Sequence, residues 1–164
     1  MPLLFCLKDI AMNLISKILH PDNVLLDSES SSKKRVFERV GLLFENNQQI
    51  ARSTVFDSLF AREKLGSTGL GEGVAIPHGR IAKLRDATAA FVKTSHPIAF
   101  DAPDGAPVDS IFVLLVPERA TDLHLQILGE LAQMFSDPEF RRQLNACPDA
   151  ASIHALFVNW EINE

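Results

Sequence analysis

Residues 111–116 read Ile-Phe-Val-Leu-Leu-Val, an unbroken apolar run. β-branched and aromatic side chains favour strands, and apolar residues at every position are typical of a strand buried on both faces. Two shorter runs, Val74–Ile76 and Ala89–Val92, are bounded by Pro, Gly and Asp and are also predicted to be strands. We therefore predict an α/β (α+β) fold with one domain, in which helices flank both faces of a small mixed sheet of about five strands.

Six segments carry apolar residues at the spacing of one buried helix face. The first is predicted to end at His20-Pro21, because proline disfavours a helical conformation in the residue before it. The third is predicted to stop before Gly66. The apolar positions lie within Leu14–Leu19, Val36–Phe44, Val55–Phe60, Leu125–Phe135, Phe140–Leu144 and Ile153–Phe157. The N-cap candidates of the second, third, fifth and sixth segments are Ser30–Ser32, Ser53, Asp137 and Asp149.

Length and composition favour one globular domain, since the 164 residues are 46% hydrophobic and 23% charged. The helical patterning sets the predicted boundaries: an N-terminal extension at 1–11, a domain at 12–160 and a C-terminal tail at 161–164. No internal repeat or low-complexity tract interrupts the domain.

The net charge and the cysteine content argue against several classes of protein. The net charge of −5 argues against a nucleic-acid binder, and Lys33-Lys34-Arg35 is predicted to be a solvated helix face. Cys6 and Cys147 are too few and too widely spaced for a disulfide framework or a zinc site, which favours a reducing compartment. The apolar run Leu3–Leu7 is too short for a signal or a membrane span. We expect a cytoplasmic protein without membrane insertion.

The stretch from Arg62 to Arg80 carries the strongest chemical signal. Glycines at positions 66, 69, 71 and 73 lead into an apolar run that ends on Pro77-His78-Gly79. A neutral imidazole is nucleophilic near pH 7, and the neighbouring Pro and Gly restrain the backbone so that the ring can point outward. A surface turn or an exposed loop explains the same residues without chemistry. The glycine spacing is neither that of a Rossmann loop nor that of a P-loop, so nucleotide binding is not predicted.

A second histidine follows the central strand. His124 falls in the first turn of the next predicted helix, where unsatisfied N–H groups favour an anion. Since His78 also follows a predicted strand, the pair indicates a phosphate site, although His124 alone also fits a half-buried core residue. His20, His96 and His154 are predicted to be boundary or surface residues. Without a carboxylate or cysteine at ligand spacing, the two histidines are a poor zinc site.

These residues resemble a known family, the type-2 EIIA domains of the bacterial phosphoenolpyruvate-dependent phosphotransferase system. Glu63, six residues, Leu70-Gly71, two residues and then Val74–Gly79 match the active-site signature of that family at every position. The resemblance extends from about Met12 to Trp160. Four motifs are more similar to the nitrogen-regulatory branch than to the fructose or mannitol branches: Ser32–Arg35, Arg62–Gly69, Pro97–Ala102 and Leu114–Pro117.

The resemblance implies a phosphocarrier rather than a small-molecule enzyme. His78 is the position that accepts a phosphoryl group on Nε2 from an HPr-like carrier, and His124 and Arg62 match the second histidine and the arginine of the site. Donors near Ser67 and Thr68 are candidates for further phosphate contacts. No cofactor or metal is expected. Regulated partners such as potassium-transport or kinase components are implied for the nitrogen branch.

Three alternatives remain open from the sequence. The same chemistry could pass phosphate to a membrane sugar permease, or the fold could be a binding module that does not depend on phosphorylation. A hydrolase that uses both histidines lacks a carboxylate at motif spacing to orient them. A carrier would meet the site through an apolar ring, for which four residues are candidates that also fit the core: Leu65, Leu70, Val74 and Phe91.

Overall fold

A computed structural model describes residues 13–119 and 121–161 of the chain. The predicted extension at 1–11 and the last three residues of the predicted tail lie outside the described residues. In chain order the elements are α1 (Ile15–Ile18), β1 (Leu19–Ser28), α2 (Lys33–Gln48), α3 (Arg52–Lys64), β2 (Gly69–Gly71), β3 (Val74–Ala75), β4 (His78–Ile81), β5 (Thr88–Ile98), β6 (Val108–Pro117), α4 (Thr121–Ser136), α5 (Pro138–Ala146) and α6 (Ala150–Val158). None of the helices in the described ranges is long and apolar enough to cross a membrane.

One mixed sheet of six strands organises these elements, in the order β1-β5-β6-β3-β2, with β4 also paired to β6. β6 lies at the centre: it runs antiparallel to β5 and parallel to β3 and β4. β1 joins the far side of β5 in parallel, and β2 pairs antiparallel with β3. The predicted α/β fold, with a mixed sheet of about this size, is confirmed.

The central strand contributes to two separate cores, as the run at 111–116 predicts. Phe112, Leu114 and Val116 pack on one face with apolar residues of α1, α4, α5 and α6. The alternate residues of β6 pack on the other face with α2 and α3: Ile111, Val113 and Leu115. Since successive side chains of a strand point to opposite faces, one apolar run supplies both cores.

β3 and β4 lie in line along the same side of β6 and are separated by Ile76-Pro77. Pro77 has no N–H to donate, but its carbonyl oxygen accepts from the amide of Leu114 at 3.0 Å. The amide of Ile76 turns to the carbonyl oxygen of Thr68, also at 3.0 Å. Pro77-His78-Gly79 is therefore not a surface turn, because His78 begins β4.

The N-terminal helix is shorter than predicted. α1 is a single turn, Ile15–Ile18, and Leu19 already belongs to β1, which continues through Pro21. An edge strand tolerates proline, and the register of β1 against β5 shifts between Leu19 and Val24. The predicted helical end at His20-Pro21 is wrong, since a strand that pairs with β5 displaces the helix.

The helix caps agree with the sequence at three of the four predicted positions. Ser32, Asp137 and Asp149 each accept a backbone N–H at the start of their helices. The prediction for Ser53 is wrong, because α3 begins at Arg52 and its N-cap is Ala51, two residues before Ser53. The end of α3 at Lys64, before Gly66, is as predicted.

Candidate functional site

His78 stands at the start of β4 with its ring half-buried. Its Nδ1 lies 2.9 Å from the carbonyl oxygen of Ile76. A carbonyl oxygen can only accept, so Nδ1 carries the proton and donates, which fixes the tautomer of the neutral ring. The lone pair of the ring is therefore on Nε2, the nitrogen that is free to act as a nucleophile.

The surroundings of His78 favour this neutral form. Burial lowers the pKa of His78 below its usual 6.5, and the positive charge of Arg62 lowers it further. The hydrogen bond to Ile76 and the negative charge of Glu63 oppose these effects without reversing them. The ring is consequently unprotonated at neutral pH, as a nucleophile requires.

The ring of His124, which is carried by α4, lies beside the ring of His78. It lies in the first turn of α4, as predicted, and its ring stands edge to face with that of His78, with centroids 5.2 Å apart. Burial lowers the pKa of His124, and electrostatic interactions with His78, Arg80 and Arg62 lower it further. Its Nε2 is buried and has no hydrogen-bond partner among the described residues. A buried polar atom of this kind has unused hydrogen-bonding capacity.

Arg62 approaches the two rings from the last turn of α3. Its Nη1 donates to the carbonyl oxygen of Gly66 at 2.9 Å, which joins the guanidinium to the first glycine of residues 65–73, here called the glycine loop, which include β2. Its positive charge lowers the pKa of both His78 and His124, so it acts on both rings. The structure thus brings together the three residues that the sequence singled out for the site.

Glu63 anchors the glycine loop to the end of α3. Its carboxylate accepts from the amide of Thr68 at 3.1 Å, from the hydroxyl of Thr68 at 2.7 Å and from Nζ of Lys33 at 2.9 Å. Only 4% of its side chain is exposed. The prediction of a solvated helix face is therefore wrong for Lys33, because Lys33 compensates this buried carboxylate, while Lys34 and Arg35 are exposed.

Ser67 and Thr68 lie in the loop, but their hydroxyls are already engaged. The hydroxyl of Ser67 donates to the carbonyl oxygen of Phe100 at 2.6 Å and accepts from the amide of Gly69 at 3.1 Å. The hydroxyl of Thr68 donates to Glu63. These bonds fix the path of the loop, and a phosphate contact at Ser67 or Thr68 stays a prediction.

Gly79 lets β4 lie directly against α3. A Cβ at this position would collide with the side chain of Ser58 and come within 3.3 Å of its backbone carbonyl carbon. Ser58 in turn donates to the carbonyl oxygen of Arg80 at 2.9 Å. The glycine after the histidine is thus explained by packing, and Ile81 beyond it joins the core on the α2 and α3 side.

Arg80 is a residue of the site that sequence reasoning missed. It follows His78 by two positions in β4, so both side chains lie on the same face of the strand, opposite to Gly79 and Ile81. Its Nη1 donates to the carbonyl oxygen of Glu118 at 2.9 Å. The period of two could have identified it, but only if His78 had been predicted to lie inside a strand instead of after one.

Of the remaining histidines, His20 and His96 lie on the surface, in line with their sequence interpretation, whereas His154 lies inside α6. His20 and His96 are exposed, and Nδ1 of His20 accepts from the amide of Asp22. His154 is half-buried, with its Nε2 2.9 Å from the carbonyl oxygen of Leu19. Across residues 13–119 and 121–161, no three His, Cys, Asp or Glu side chains form a group that could hold a metal ion.

Exposed leucines come from the loop and helix that bear the site residues. Leu65 and Leu70, in the glycine loop, are 85% and 48% exposed, and Leu123 and Leu125, beside His124, are 41% and 63% exposed. Val74 and Phe91, the other two candidates for a contact surface, are buried in the core. Apolar side chains on two neighbouring segments are suited to contact another protein.

The family model described as "Phosphoenolpyruvate-dependent sugar phosphotransferase system, EIIA 2" matches residues 17–160. The chain belongs to this family. It is 41% identical over 146 residues to a nitrogen regulatory protein of Pseudomonas aeruginosa, across 88% of this chain and 95% of that protein. The structure superposes on that of nitrogen regulatory protein IIA-Ntr from Neisseria meningitidis with a TM-score of 0.83 and 52% identity, over 88% of this chain and 99% of the other.

Sugar-specific members of the EIIA type-2 family are more distant from this chain. A fructose-specific EIIABC component of Bacillus subtilis is 30% identical over 131 residues, which are 79% of this chain and 21% of that protein. The predicted resemblance to the nitrogen-regulatory branch is therefore confirmed. The chain is an EIIA-like nitrogen regulatory component of the phosphotransferase system.

Proposed function

We propose that His78 accepts a phosphoryl group on Nε2 from an HPr-like phosphocarrier and that its phosphorylation state controls the binding of partner proteins. The observation that carries this proposal is the bond from Nδ1 of His78 to the carbonyl oxygen of Ile76, which leaves the lone pair on Nε2. A ring held in one tautomer, and kept neutral by burial, is prepared for attack on phosphorus.

The transfer step balances without an additional reactant. The Nε2 lone pair of His78 forms the new N–P bond, the N–P bond of the carrier's phosphohistidine breaks, and its electron pair returns to the carrier's imidazole. Passing the group on, or back, reverses these changes. Such a reaction depends mainly on positioning and charge stabilisation, which Arg62 and His124 are placed to supply.

Phosphorylation would place about 1.5 to 2 negative charges beside two donors. Arg62 has a planar fork of N–H groups, of which one bond, to Gly66, is made within the described residues. The buried Nε2 of His124 would gain a partner that it lacks among those residues. Backbone amides near Ser67 and Thr68 are further candidate donors, because the hydroxyls of both residues are in use.

The carrier would dock on the exposed leucines. Leu65, Leu70, Leu123 and Leu125 offer apolar contact beside the two histidines. An apolar contact excludes water around the transferred group and strengthens its attraction to the arginine. We place this exchange in the cytoplasm, the compartment that the sequence favours.

The decisive experiment is phosphorylation by purified components. The chain is incubated with phosphoenolpyruvate, the first enzyme of the system and the carrier, and acid-labile phosphate is followed by phosphorus NMR. We expect His78→Ala to lose the phosphohistidine signal. His96→Ala, which removes an exposed histidine elsewhere, is the matched control and should behave as the parent does. Equal labelling of His78→Ala and the parent would disprove the assignment.

Transfer onward to a sugar permease is the second candidate, and the fructose-specific relative is the observation that favours it. Labelled protein is mixed with membranes that contain the permeases, with and without sugar. Label lost only in the presence of sugar would favour the transport role. Label retained in both, together with different partner binding by His78→Ala and His78→Glu, would favour regulation.

A further inference from the structure

Arg80 connects the strand of His78 to the segment that leads to His124. β4 and β6 run parallel, with His78 beside Leu114 and Arg80 beside Val116. β6 ends one residue later, at Pro117, and α4 begins at Thr121. The guanidinium of Arg80 therefore lies next to the connection between β6 and α4.

The contact of Arg80 with this connection is a single, well-formed hydrogen bond. Its Nη1 donates to the carbonyl oxygen of Glu118 at 2.9 Å, three residues before the first residue of α4. A donor that carries a full charge makes a stronger bond than a neutral one. The bond therefore fixes the backbone at Glu118, close in sequence to the first turn of α4, which includes His124.

Arg80 lies on the face of β4 on which α4, the helix that carries His124, is located. Ile81 packs into the core on the α2 and α3 side, and Gly79 lies against Ser58 of α3. His78 and Arg80 occupy the opposite face, on which α4 lies. Burial first, and then electrostatic interactions with His78, Arg80 and Arg62, lower the pKa of His124, so Arg80 is also close enough to act on that ring.

We propose that Arg80 is a positioning residue of the phosphoryl site: by holding the backbone of Glu118 it keeps His124 against His78. This inference rests on the proposed phosphoryl transfer at His78. Arg80 need not touch the phosphoryl group, because it acts through His124.

The test compares Arg80→Met and Arg80→Lys with the parent and with Arg39→Met. Arg39 is an exposed arginine of α2, on the other side of the sheet, and serves as the control for loss of a surface charge. We expect Arg80→Met to lower kcat for transfer from the carrier by roughly tenfold to a hundredfold, with KM within about twofold, because reacting groups tolerate little displacement. Arg80→Lys keeps a charged donor and should restore part of the rate.

Two measurements by NMR do not require turnover. Arg80→Met should weaken the nuclear Overhauser contacts between the rings of His78 and His124 and should raise the pKa of His124, since a nearby positive charge is removed. A folded Arg80→Met protein with parental kcat and an unchanged His124 ring would overturn the proposal.

The two proposals can fail separately. If the parent takes no phosphoryl group on His78, the proposed function fails, and the ring contacts of Arg80→Met still decide whether Arg80 positions His124. If the parent is phosphorylated but both Arg80 variants transfer at its rate, only the inference on Arg80 is wrong.

Discussion

The orientation of one imidazole ring determines which of its nitrogen atoms is available as a nucleophile. The sequence identifies His78, but the tautomer follows from the carbonyl oxygen of Ile76, which lies 2.9 Å from Nδ1 in the folded chain. For Arg80, the sequence does not reveal which group the side chain contacts. Its charge is evident in the sequence, yet its bond to Glu118 requires β4 and β6 to be paired in a known register.

Phosphoryl acceptance at His78 should fall at low pH. Burial lowers its pKa below 6.5, so the ring stays neutral to a lower pH than a free histidine and loses its nucleophilic form only as the pH falls through that lowered value. The unfolded chain binds the proton near 6.5, so the same group makes folding less favourable as the pH falls below about 6.5.

The measurement combines the initial rate of phosphorylation, from about pH 5 to about pH 8, with NMR titration of the His78 ring. Histidine signals of the urea-denatured chain provide the reference near the usual pKa. The rate should fall together with protonation of the folded ring. A folded His78 that titrates at or above the reference would contradict the burial argument.

At the scale of elements, β4 is packed against α3 more closely than an alanine permits. Gly79→Ala places a methyl group against the side chain and backbone of Ser58, and the overpacking should cost about 1–3 kcal/mol in the free energy of unfolding. Gly129→Ala is the matched control, because a Cβ there meets no atom within 4 Å and the residue lies in α4. Alanine should stabilise that helix by roughly 0.5–1 kcal/mol.

Urea unfolding measures whether the free energy of unfolding falls in Gly79→Ala and rises in Gly129→Ala. The double change Gly79→Ala with Ser58→Gly should recover part of the loss, although it also removes the hydrogen bond from Ser58 to the carbonyl oxygen of Arg80. Equal stabilities of Gly79→Ala and the parent would mean that α3 can withdraw from β4 at little cost.

The same elements show how much of the fold can be predicted from the sequence. The central strand, the amphipathic helices and three of four N-caps follow from local periodicity and capping chemistry. β1 and β4 do not, because each depends on a partner strand that is distant in sequence. The sequence shows Glu63 only as part of a signature, since its bonds to Lys33 and Thr68 form only when α2, α3 and the loop are packed together.

On the scale of the whole molecule, the sheet separates two packed cores, and the site residues lie at the start of β4, in the last turn of α3 and in the first turn of α4. The alternate residues of β6 belong to different cores, so neither core can loosen without disturbing the other. The proposed phosphoryl group would therefore act through a local change of charge and hydrogen bonding, with the sheet as a fixed support.

Hydrogen exchange of the phosphorylated and unphosphorylated chain tests this view. Added protection should be limited to residues 62–80 and 118–128, where Arg62, the glycine loop, β4 and the first turns of α4 would gain bonds to about 1.5 to 2 new negative charges. His78→Ala, treated with the same phosphorylating components, is the control and should show no change. Altered exchange in α5 or α6 would instead require a rearrangement that spreads through the core that these helices share with α4 and β6. A local response has a consequence for regulation: a partner that distinguishes the two states must contact the surface around His78 itself, where the charge changes and the exposed leucines lie.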